Sequence, residues 1–134
     1  MATLALVIAA GTLGAMLFFS FATAPLVFRM VADEDAARFI RALFPIYYAV
    51  AAVGTAAAGI LVLPDWTGWL LVLVALVSLG LRQGLTPLIG DSLDARRAGD
   101  AAAAERFDRL HRLSVLANVG QFAALAVAIV GIAV

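Results

Sequence analysis

The sequence predicts an all-α fold, an integral membrane antiparallel four-helix bundle forming a single domain over residues 1–134. Three observations lead there. Hydrophobic residues make up 65% of the chain and charged residues only 13%, well below the roughly 25% that a soluble domain carries to face water. The apolar residues gather into four runs, each longer than the ~20 residues that cross a ~30 Å hydrocarbon core. The charges gather between those runs, and chiefly in two of the three connections.

The first span covers about residues 3–28. It has no basic n-region and its apolar run is too long for a cleavable signal peptide, so it reads as a membrane helix. The second covers about 40–64, the third 66–89 with only Arg82 as an internal charge, and the fourth 111–134. Hydrocarbon offers no partner to backbone N–H and C=O groups, so spans of this length must be helical. Asp33 is placed to cap the second helix, with Glu34 and Asp35 in its first turn, where the helix dipole favours anions. Asp100 is placed to cap the fourth. Glu105 with Arg109, and Asp108 with Arg112, have the favourable acid-before-base order at i,i+4. Helices two and four are therefore expected to continue beyond the bilayer. Pro45 cannot donate to the carbonyl of Arg41, so helix two is expected to bend there. Pro25 and Pro87 are expected to close the odd-numbered spans.

Orientation follows from arginine. Arg29, Arg38 and Arg41 lie at or in the first connection, and the other six at or in the third. The N-terminus, the Leu63-Pro64-Asp65-Trp66 turn and the C-terminus have none. The positive-inside rule then puts both charged connections in the cytoplasm and both termini in the periplasm of a bacterial inner membrane. Trp66 and Trp69 fall at the opposite interface, where indoles prefer to lie.

A short repeat runs through the chain. Ala36-Ala37-Arg38-Phe39-Ile40-Arg41 is similar to Ala104-Glu105-Arg106-Phe107-Asp108-Arg109, and Pro25-Leu26-Val27 to Pro87-Leu88-Ile89. Two helical hairpins in parallel orientation would produce this pattern, as in some transporters.

Function is harder to read. Net charge is zero and there is no cysteine, which removes any electrostatic case for nucleic acid and excludes disulfides and thiolate metal sites. No hydrolase, phosphate-loop or zinc motif appears, so no catalytic residue is assigned and no cofactor is expected. No Asp or Glu lies inside a span, which disfavours a proton relay. The informative feature is a polar stripe. His111, Ser114, Asn118 and Gln121 recur at helical spacing and fall on one face at about 100° per residue. An amide as deep as Gln121 should face the bundle interior. Tyr47 and Tyr48 on helix two and Arg82 on helix three lie at similar depth. The expected site is a polar pocket in the cytoplasmic half lined by Tyr47, Tyr48, Arg82, His111, Asn118 and Gln121. With a cation and no buried carboxylate, it would suit a small anionic solute. Small residues at Gly11, Gly14 and Ala15, and at Gly54, Ala57 and Ala58, are expected to bring helices one and two into close approach.

Several of these segments resemble the transmembrane protein 205-like family, whose bacterial members are domains of unknown function. The matching pieces are Gly14 through Pro25, Leu43-Phe44-Pro45-Ile46-Tyr47-Tyr48, Arg82-Gln83-Gly84-Leu85-Thr86-Pro87, and Phe107 through Ser114 continuing to Asn118 and Gln121. The resemblance spans nearly the whole chain and implies a four-span bundle. Three functional classes stay open: a protein that binds or permeates a small solute, alone or as a homodimer; a scaffold or assembly subunit in the lipid bilayer; and a redox protein using His111, with Met30 or a second copy, for haem or metal. The first is the leading expectation.

Overall fold

The computed structural model describes residues 1–134 and consists of four long helices. α1 is Ala2–Met30, α2 is Asp33–Val62, α3 is Trp66–Arg97 and α4 is Ala101–Ala133. Each is long and apolar enough to cross a membrane. α2 packs on α1 and α3, and α4 closes the ring against α3 and α1. Short connections force neighbouring helices to run antiparallel, as the sequence predicts.

The distribution of side chains is that of a protein in lipid. Only 26 of 134 residues are buried, and large apolar side chains such as Val7, Phe21, Val53, Leu76, Leu116 and Val130 face outward. Water would not tolerate so continuous an apolar surface, whereas hydrocarbon does. The interior is built largely from small residues, among them Ala5, Ala9, Ala51, Ala58 and Ala128, around Met16, Tyr48, Leu71 and Leu125. Lipid supplies little hydrophobic drive, so association relies on close packing and interhelical hydrogen bonds. The tightest approach is between α2 and α3. A Cβ on Gly68 would lie 2.9 Å from the Gly59 carbonyl oxygen, so neither position has room for a side chain. Gly54 is similarly closed by the Thr12 side chain, but Gly11 and Gly14 face open space. The expected close approach is thus made by Gly54 against a threonine and not by the α1 glycines.

The helix ends follow their local chemistry, with corrections. The Asp100 carboxylate accepts from the N–H groups of Ala102 and Ala103 at 2.9 and 3.3 Å, and α4 runs unbroken from there. Gly99 turns the chain with φ +94°, a left-handed conformation that glycine adopts at no steric cost. Asp33 is not a cap: Ala32 occupies the N-cap position, and Asp33, Glu34 and Asp35 form the first turn. Glu105 pairs with Arg109 at 3.2 Å, whereas Asp108 and Arg112 do not pair. Arg106 instead reaches back to Asp100 at 3.3 Å.

Both odd-numbered helices contain one wide turn immediately before a proline. Phe19–Thr23 is a π turn ahead of Ala24-Pro25, and Leu81–Leu85 is a π turn ahead of Thr86-Pro87. In each, the N–H after the turn bonds the carbonyl five residues back: Ala24 to Phe19, Thr86 to Leu81. A proline ring clashes with the carbonyl four residues earlier and has no N–H to offer. Widening the preceding turn makes room for it. The helices run on past these prolines, α1 to Met30 and α3 to Arg97. α2 is also continuous through Pro45.

Candidate functional site

The arginine-rich ends of all four helices surround a cavity of about 630 Å³, within the ~300–1,000 Å³ typical of ligand sites. At ~1.5 Å per residue, a ~30 Å core measured from the Trp66 end of α3 ends near Thr86. The cavity begins at that level and opens toward the charged connections. Ala24 and Phe28 come from α1, and Asp33, Ala37, Ile40, Arg41 and Phe44 from α2. Thr86, Ile89, Gly90, Leu93, Arg96 and Arg97 come from α3, and Phe107, His111 and Ser114 from α4.

Two of its three arginines are held by specific contacts. Arg41 makes a two-pronged bond to Asp94, at 2.9 and 2.8 Å, and also donates to the Gly90 carbonyl at 3.1 Å. This clamp ties α2 to α3. The Arg41 hydrogen bond holds the Asp94 carboxyl below the usual carboxylate range. Arg96 lies over the Phe107 ring, 5.5 Å from its centroid, within the range of a cation–π contact. Phe107 in turn stacks on His111, with ring centroids 5.9 Å apart and planes 5° from parallel. Neither Arg96 nor Arg97 has a carboxylate within ion-pair distance. Asp33 is the only carboxylate on the lining. The walls are otherwise apolar, with Phe28, Ile40, Phe44, Ile89 and Leu93 among them. The cavity thus combines two guanidiniums outside any ion pair with an aliphatic and aromatic lining.

Below the cavity the bundle is closed. The Tyr48 hydroxyl and Ser114 Oγ are hydrogen-bonded at 3.2 Å, and the Tyr47 hydroxyl donates to Asn118 Oδ1 at 3.2 Å. Both bonds cross the bundle from α2 to α4. Phe19, Phe44, Tyr47 and Tyr48 pack their rings together at the same level. One turn deeper, Gln121 Nε2 donates to Ser78 Oγ at 2.7 Å, and Ser78 donates on to the Val74 carbonyl at 2.9 Å. Gln121 Oε1 is buried without a partner.

The six residues singled out in the sequence therefore separate into three groups. His111 lines the cavity. Tyr47, Tyr48, Asn118 and Gln121 lie in the closed layer beneath it and are not in its lining. Arg82 points away altogether. It is exposed, and its Nε donates to the Pro45 carbonyl at 3.1 Å on the outer side of the bundle. The wide turn explains this. Ser78 is buried, so in a regular helix the residue four positions on would share its inward face. Arg82 is the second residue of the wide turn Leu81–Leu85, where the chain leaves that regular register.

Arg41, Arg96, Arg97 and Phe107 are cavity residues that the sequence does not single out, because its arginines serve there only to set orientation. Spacing holds the missing signal. Phe107, His111 and Ser114 on α4, and Thr86, Gly90, Leu93 and Arg97 on α3, step by three or four and so share a face.

Fold and cavity define a four-helix integral membrane protein with a basic, apolar-walled vestibule at one end. A family described as a domain of unknown function (DUF4149) matches residues 7–98. That is more than half of the chain, and the protein belongs to this family. Neither the curated proteins nor the solved structures contain a match to it.

Proposed function

We propose that the protein binds a small amphipathic anion in the vestibule between the charged ends of its helices. The single observation that carries this reading is the pairing of two guanidiniums outside any ion pair, those of Arg96 and Arg97, with apolar walls in one cavity. A carboxylate or phosphate would meet the cations, and an attached hydrocarbon would lie against Phe28, Ile40, Phe44 and Leu93. The layer of Tyr47 and Tyr48 bonds below supports binding in a blind vestibule over an open pore. Passage of a solute would require those two bonds to break. We further propose that the chain is an inner-membrane protein with its vestibule facing the cytoplasm, on the strength of its arginine asymmetry. Its affinity within a wider family would be to the transmembrane protein 205-like proteins, on the Phe107–Ser114 motif and Asn118 and Gln121.

A scaffold role is the second reading. It is favoured by the diagonal tyrosine bonds, which fasten α2 to α4.

Titration calorimetry in phosphatidylcholine nanodiscs tests the choice, with hexyl phosphate as probe, hexyltrimethylammonium as its cationic counterpart and empty discs as blank. A charge-assisted hydrogen bond contributes about 1.5–3 kcal/mol. The Arg96→Gln/Arg97→Gln variant should therefore bind hexyl phosphate at least about tenfold more weakly. Both side chains are exposed, so the fold should persist. Saturable binding of the cation, or no saturable binding of the anion, would remove the ligand reading and leave the scaffold.

A further inference from the structure

Arg82 has an unusual position for a cation. At ~1.5 Å per residue it lies ~24 Å along α3 from Trp66, inside a ~30 Å hydrocarbon core and close to its charged-side boundary. It is exposed on the outer surface of the bundle. Only its Nε has a protein partner, the Pro45 carbonyl. The two terminal nitrogens are unbonded, and no carboxylate lies within ion-pair distance. A guanidinium at that depth is costly unless an anion or water meets it.

Beside it runs a groove of about 670 Å³ along the outer face between α1 and α2. Gly11, Ala15 and Ala49 make it deep because they carry so little side chain, and Val53 and Pro45 mark its ends on α2. An added Cβ on Gly11 would meet nothing within 4 Å. From Val53 to Pro45 is ~12 Å of helix, close to the ~15 Å depth of one leaflet's hydrocarbon. Arg82 stands at the end nearer the interface, on the π turn of α3.

We propose that this groove is a site for one anionic phospholipid of the leaflet on the arginine-rich side. The lipid phosphate accepts hydrogen bonds from the free Nη1 and Nη2 groups of Arg82, the two-pronged geometry that guanidinium offers to oxyanions. One acyl chain fills the groove toward the bilayer centre. Pro45 takes part through its carbonyl, which fixes Nε and so aims the fork at the headgroup. The site is separate from the vestibule: it faces lipid and shares no lining residue with it.

Native mass spectrometry of the detergent-purified protein, titrated with phosphatidylglycerol or phosphatidylcholine, tests the proposal. One phosphatidylglycerol should be retained at least tenfold more tightly than phosphatidylcholine. Arg82→Gln should abolish that preference. Arg109→Gln, which removes an exposed arginine paired to Glu105 on α4, should leave it intact. Gly11→Leu should lower retention of both lipids by filling the groove, with circular dichroism and thermal melting checking that each variant folds. Competition separates the sources of phosphate: inorganic phosphate should displace the lipid poorly, and equal displacement would overturn the acyl seat. Equal retention by the Arg82→Gln variant would overturn the headgroup contact. The chain has no cysteine, so Val53→Cys gives a single cross-linking site. Efficient disulfide dimers in phosphatidylglycerol bilayers would assign the groove to a second copy and overturn the lipid.

Discussion

Replacing Gly68 with alanine should loosen the bundle, and replacing Gly11 should not, although both are glycines in apolar helices. A methyl at Gly68 would sit 2.9 Å from the Gly59 oxygen, 3.0 Å from the Leu63 nitrogen and 3.1 Å from the Val62 carbonyl carbon. All three are backbone atoms, so no rotamer change can relieve the contact and α2 must move from α3. Overpacking of this kind costs about 1–3 kcal/mol. Alanine recovers about 1 kcal/mol of helix propensity in a helix interior and less at Gly68, which lies in the first turn of α3. The expected result is a net loss of ~1–2 kcal/mol. At Gly11 only the propensity gain applies, because the added methyl meets nothing, so the variant should be neutral or stabler by up to ~1 kcal/mol. Reversible unfolding in mixed micelles with increasing sodium dodecyl sulfate, followed by circular dichroism, measures both. If Gly11→Ala destabilised the protein as much as Gly68→Ala, the assigned contact between α2 and α3 would be wrong.

Tyr47→Phe and Tyr48→Phe should each lower stability by about 0.6 kcal/mol, and by no more than ~1.7 kcal/mol, the range for interhelical hydrogen bonds in a membrane. Tyr47→Phe should leave hexyl phosphate affinity within about threefold, since its bond to Asn118 lies below the vestibule; a tenfold loss in calorimetry would put that hydroxyl in the site. For orientation, a reporter active only outside the cytoplasm should work when joined after Val134 and fail when inserted at Gly99. The opposite pattern would reverse the proposed topology.

Most of the fold is legible because membrane helices announce themselves by composition and length. The four spans, the continuous α4 and its Asp100 cap follow from hydropathy and capping chemistry alone. Three features are not legible, each for a physical reason. Asp33 has the side chain of a cap, but the N-cap lies one residue earlier at Ala32, and helix starts are settled by backbone geometry that neighbouring acids do not fix. Gly11 and Gly14 have the composition of a contact, yet contact depends on which face meets a neighbour. Arg82 looks interior only if a regular helical period is carried through Leu81–Leu85. The deep polar stripe does face inward at Gln121, which is 3% exposed, but inward-facing groups need not line a cavity. In this bundle Tyr47, Tyr48, Asn118, Gln121 and Ser78 bond across the helices and fill the space themselves.

The two wide turns connect the sequence repeat to the vestibule. In α1 the buried positions run Ala5, Ala9, Thr12, Met16, and in α3 they run Leu71, Val74, Ser78. Continued at 3.6 residues per turn, those stripes would arrive near residues 23 and 27 in α1, and near 85 and 89 in α3. The cavity is lined by Ala24 and Phe28 of α1, and by Thr86 and the adjacent pair Ile89 and Gly90 of α3. The stripe of α1 has moved on by one residue, and that of α3 by one residue at Thr86, the direction in which a single π turn displaces it. The rotation brings small and hydroxyl side chains, Ala24 and Thr86, to the cavity floor, and Thr86 Oγ1 turns back to bond the Leu81 carbonyl at 3.0 Å. Arg82, within the second of these turns, is exposed on the outside of the bundle. Proline is the shared feature, since Pro25 and Pro87 each follow a widened turn. A recurrent Pro-Leu-Val and Pro-Leu-Ile, slight as sequence similarity, thereby marks in each odd-numbered helix the widened turn beyond which the vestibule opens, and in α3 that same turn carries the outward Arg82.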